Sequence, residues 1–78
     1  MTLDALTDAL SSVPAVQRSA RLIRQREGRR NAHRDRTLTA AYAALNTAVQ
    51  TGAHLRGLHL SDADILSVSS DLVDQVPT

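Results

Sequence analysis

The residue type most able to do chemistry in this chain is arginine. Eight of the nine basic residues lie between Arg18 and Arg36: Arg18, Arg21, Arg24, Arg26, Arg29, Arg30, Arg34 and Arg36. Only Glu27 and Asp35 oppose them there, which leaves a net charge of +6 between acidic ends in a chain whose net charge is +1. A guanidinium is always charged and presents a planar fork of donors that matches phosphate and carboxylate oxygens. Such a block suits three partners. It can hold a nucleic-acid backbone by a salt-sensitive electrostatic contact. It can meet an acidic protein surface, or it can stay a solvated face partly neutralised by the acidic ends of the same or another subunit. No aromatic residue is interleaved with the arginines, so single-strand binding by base stacking loses support, whereas duplex backbone contact does not. Position matters more than identity here. Lys, Phe and Trp are absent, Ala is abundant, and Ile and Asn occur twice each, the bias expected of a GC-rich coding sequence.

Other chemically capable groups are sparse. His54, His59, Asp62 and Asp64 cluster in sequence but match no helical metal pair such as histidines four apart. Asp62 and Asp64 suit the first turn of a helix instead, and His33 reads as a solvated residue among the arginines. There is no cysteine nucleophile, phosphate-cradling glycine loop or nucleophile elbow. No catalytic residue, metal, cofactor or small-molecule substrate is therefore expected. Ala48, Gly52 and Leu58 fall at the small-residue, turn and core positions of a helix-turn-helix. The match is weak, because Gly57 would then lie inside the recognition helix and the arginines would lie elsewhere.

Those arginines must be positioned by helices. A 78-residue chain buries only about 60% of the surface it exposes when unfolded. With no cysteine for disulfides, a partner subunit is the remaining aid to stability. Leu3, Leu6, Leu10 and Val13 recur at helical spacing, Thr2 can cap the start, and Asp4 suits the first turn. Ser11 and Ser12 before Pro14 read as a restart. Val16, Ala20 and Ile23 then form an apolar face, with Arg18, Arg21, Arg26 and Arg29 opposite. Gly28 is expected to stop this helix in a left-handed conformation. Leu38, Tyr42, Leu45 and Val49 step by four, three and four through an alanine-rich segment, which Gly52 is expected to close. Its back, Ala40, Ala43, Ala44 and Thr47, carries no charge and is expected to be packed, against the other helices or a second copy. Ser61 caps a last helix striped by Ile65, Val68, Leu72 and Val76, with Pro77 ending it.

These patterns predict an all-α fold, one small four-helix domain spanning 1–78, orthogonal or bundle-like, with the third helix at its centre. The helices are expected at about 3–12, 14–27, 37–51 and 61–76, with 28–36 as an Arg-rich connection. Leu38, Ala40, Tyr42, Ala44, Leu45 and Val49 are the expected helix-packing or dimer face. The expected role is that of a non-enzymatic regulatory or binding protein contacting nucleic acid through residues 18–36. A protein adaptor or inhibitor, or a homodimer built on the third helix, is the alternative. No apolar run is long enough to span a bilayer, and Asp4 and Asp8 stand where a signal peptide would be basic, so a cytoplasmic setting without membrane contact is expected.

Overall fold

The computed structural model describes residues 2–29 and 34–76. They form four α-helices, α1 (Leu3–Ser11), α2 (Pro14–Glu27), α3 (Arg36–Leu55) and α4 (Asp62–Gln75), with no strand among the described residues. The Thr2 hydroxyl accepts from the Ala5 amide at 3.1 Å and caps α1 as expected. The serines that follow do not restart the chain. Ser11 and Ser12 donate back to the Asp8 and Ala9 carbonyls, and the N-cap of α2 is Val13, without a side-chain hydrogen bond. Pro14 in the first turn opens α2, because its fixed φ is already helical and it lacks the N–H that would otherwise be orphaned. The helix ends at Glu27, although Gly28 is not left-handed there: its φ is −78°.

Helix α3 starts earlier and ends later than its apolar pattern suggests. Asp35 is the N-cap, its Oδ1 accepting from the amides of Thr37 at 2.9 Å and Leu38 at 3.1 Å. Arg36 is therefore helical rather than part of the connection. Gly52 does not close the helix. It is buried within the last turn of α3 against α1, where a Cβ would come within 2.7 Å of Leu10 Cδ2. Glycine is used there for close approach, and the stop falls at Gly57, whose φ is +73°. The Leu58 amide donates to the Ala53 carbonyl at 2.9 Å and the Gly57 amide to the His54 carbonyl at 3.0 Å, the paired bonds of a Schellman ending. A helix-turn-helix with its turn at Gly52 is thereby excluded.

A reciprocal capping box starts α4. Asp64 N donates to Ser61 Oγ at 3.2 Å, and Ser61 N donates to Asp64 Oδ2 at 3.4 Å. The helix ends at Gln75, and Pro77, expected to end it, lies outside the described residues.

Every helix touches the other three, with α2 lying chiefly on α3 and α1 on α4. Their inner faces supply one aliphatic core, including Leu6 and Leu10, Val16 and Ile23, Leu45 and Val49, and Val68 and Leu72. Two polar groups join it. Ser69 donates to Asn46 Oδ1 at 2.8 Å, and Thr7 donates to the Leu3 carbonyl at 3.0 Å. The third helix is not buried all round. Leu38, Leu45 and Val49 face the core and Tyr42 is half-buried, but Ala40, Ala43, Ala44 and Thr47 are exposed. The proposed packing face thus divides, with Ala40 and Ala44 on the outside. Three neighbours cover only one side of a helix in so small a bundle. Among the described residues, no helix is long and apolar enough to cross a membrane.

Candidate functional site

The helical periodicity of α2 sorts its arginines. With Val16, Ala20 and Ile23 facing the core, a rotation of about 100° per residue turns Arg18 and Arg21 outward and leaves Arg24 and Arg26 on the flanks. Each flanking side chain is taken up by a neighbouring element. Arg24 Nη1 donates to the carbonyls of Val73 at 3.3 Å and Asp74 at 3.2 Å, so its charge sits at the C-terminal end of α4. That end has no basic residue of its own, and a cation there complements the helix dipole. Arg26 Nη1 donates to Asp35 Oδ2 at 2.7 Å, the one ion pair among the described residues. The Asp35 carboxyl is held below its ordinary range, first by this bond and then by the Leu38 amide.

The outward-facing reading of Arg26 is therefore corrected: only 28% of its side chain is exposed, and its charge is spent on α3's cap. Arg18, Arg21, Arg29, Arg34 and Arg36 are exposed, and none pairs with a described carboxylate. Arg30 and His33 lie outside the described residues. What remains are five exposed arginines, Arg18 and Arg21 on the outer side of α2, Arg29 just past its end, and Arg34 and Arg36 at the start of α3.

Acidic residues gather elsewhere. Helices α1 and α4, which pack together, carry Asp4, Asp8, Asp62, Asp64, Asp71 and Asp74 and no basic residue. The block pattern of the sequence thus survives folding as an acidic helix pair and a basic α2–α3 side. Besides the shared core, an Arg24 bond ties the basic side to the end of α4.

A groove of about 340 Å³ opens beside Arg21, lined by Val16, Ala20, Leu72 and Val76 together with Ser11, Gln17 and Gln75. Among the described residues lining it, the one hydroxyl, on Ser11, donates to the Asp8 carbonyl at 2.7 Å, and none is a histidine or a carboxylate. Asp64 is engaged in the capping box, and His54, His59 and Asp62 are exposed. Among the described residues, no three histidine or acidic side chains are grouped as metal ligands would be.

The element that sequence reasoning missed is Asp35. An aspartate three residues before Leu38, the first apolar position of α3, is an N-cap signal in its own right. Comparison with protein families, with curated proteins and with solved structures returned no match, so no function enters by likeness.

Proposed function

We propose that this protein is a non-enzymatic binding module whose basic side, Arg18, Arg21, Arg29, Arg34 and Arg36, contacts the phosphate backbone of duplex nucleic acid. The observation that carries this reading is the separation of charge. Five arginines of α2, its C-terminal end and the start of α3 are exposed with no described carboxylate paired to them, while six of the eight acids are on α1 and α4. Arginines bonded to carbonyls or to a cap are poorly placed to release counterions, so Arg24 and Arg26 do not count toward the contact. With no aromatic side chain among them, the arginines recognise backbone rather than base sequence.

Fluorescence anisotropy with labelled duplex DNA and RNA, from low to physiological salt, tests this. Five phosphate contacts give a slope of log K against log salt of about −4.5, whereas all eight arginines would give about −7. Replacing Arg21 and Arg29 by Glu abolishes binding. Absence of binding at low salt would retire the proposal.

A second reading is favoured by the exposed, uncharged back of α3, Ala40, Ala43, Ala44 and Thr47, with Leu66 on α4 59% exposed. It makes α3 a self-association surface, since small residues let helices approach closely. Sedimentation of wild type and Ala44→Glu decides it. A dimer that Ala44→Glu dissociates supports it, and a monomer at high concentration excludes it.

A further inference from the structure

Arg26 and Asp35 stand nine residues apart, at the two ends of the segment that carries Arg29 and Arg34. Asp35 does two things at once: Oδ1 caps α3 through Thr37 and Leu38, and Oδ2 accepts from Arg26. The pair is partly withdrawn from solvent, with side-chain exposures of 28% and 15%. Because α2 and α3 pack along each other, the core already fixes where the segment leaves one helix and enters the next. The ion pair ties the last turn of α2 to the N-cap of α3, three residues from Arg29 and one from each of Arg34 and Arg36. We propose that Arg26 and Asp35 form a clamp that positions Arg29, Arg34 and Arg36 for a duplex phosphate backbone, without either residue touching the phosphates. This rests on the polyanion reading above and adds to it that part of the basic surface is set before binding. Side chains ordered beforehand lose less entropy when the ligand arrives.

Charge counting and positioning predict opposite signs for one substitution. Asp35→Asn deletes a negative charge beside a basic surface, so charge alone would tighten binding. Asparagine caps helices as well as aspartate does, so α3 keeps its start while the ion pair is lost. Under the clamp, Asp35→Asn weakens duplex binding by about three- to tenfold, the scale of ordering a few long side chains, with the salt slope unchanged. Arg26→Gln does the same, and Arg26→Lys, which can still pair with Asp35, recovers most of the affinity.

The experiment is the duplex anisotropy titration over salt on wild type and these three variants, each checked for wild-type helix content by circular dichroism. If Asp35→Asn loses helix, the Arg26→Gln and Arg26→Lys pair carries the test, since both leave the cap intact. Tighter binding by Asp35→Asn overturns the clamp. So does a slope shallower by about 0.9 in Arg26→Gln, which would make Arg26 a phosphate ligand. Either result leaves the polyanion reading standing. Wild-type protein that binds no duplex at low salt overturns both.

Discussion

The contact between Gly52 and Leu10 offers a test of the fold whose sign does not depend on uncertain propensities. As a glycine inside a helix, Gly52 costs α3 about 0.8–1.0 kcal/mol relative to alanine. Taken alone, that makes Gly52→Ala stabilising. In the structure, however, the new Cβ would lie 2.7 Å from Leu10 Cδ2 and 3.4 Å from Cδ1. Leu10 is only 4% exposed and sits in the core, so it has little room to yield. Overpacking of this kind costs about 1–3 kcal/mol, so the single substitution comes out between neutral and roughly 2 kcal/mol destabilising. A double-mutant cycle removes the ambiguity. Leu10→Val deletes both δ carbons at a cost of about 1 kcal/mol. A chain this size holds roughly 4–12 kcal/mol in total, so both single variants stay measurable. In the Leu10→Val background, Gly52→Ala should recover its helical gain. Its effect should be more favourable there than in wild type by about 1–3 kcal/mol, because the propensity term cancels in the difference. Urea unfolding followed by circular dichroism measures all four proteins. If Gly52→Ala stabilises equally in both backgrounds, α1 does not cross α3 at Gly52 and the packing described here is wrong.

Three further outcomes are expected. Gly57→Ala should lose about 1–2 kcal/mol in thermal unfolding, because φ at this position is +73°, while Gly28→Ala should be neutral or slightly stabilising, with φ −78° and open space around its Cβ. Equal costs at the two glycines would contradict the assigned turn. The contribution of the Asp35 charge should be fully present above the ordinary carboxylate pKa of 3.8 and be lost as pH falls through its lower folded value. The stability difference between wild type and Asp35→Asn should therefore stay constant down to about pH 4 and close below it, and a gap that widens in acid would refute the pairing. Finally, Ser69→Ala removes a 2.8 Å hydrogen bond to Asn46 from a buried position and should cost about 1 kcal/mol in urea unfolding. No change would mean that water replaces the serine.

The helices themselves were legible in the residues because the signals for them are local. Apolar steps of three and four, Thr2 and Ser61 as caps, and Pro14 at a first turn act within a few residues of where they stand, so the pattern matches α2 at both ends and α1 and α4 to within a residue, and falls four residues short only at the end of α3. The candidate surface was legible as a block of charge, since the eight arginines fall within one stretch, 18–36, whatever the chain does next. Tertiary structure decided everything that depends on a neighbour from elsewhere in the chain. Gly52 looks like a stop until Leu10 is brought against it, and only then is the missing Cβ seen to serve packing, while the left-handed stop falls to Gly57. The back of α3 looks like a buried surface until the bundle proves too small to cover it. Arg24 and Arg26 share the basic block with Arg18 and Arg21, and only the end of α4 and the cap of α3, arriving at the flanks of α2, take up their side chains. Periodicity reports which way a side chain points along its own helix. It carries no information about what stands opposite, and that is what separates an arginine that holds the fold together from one left free to bind.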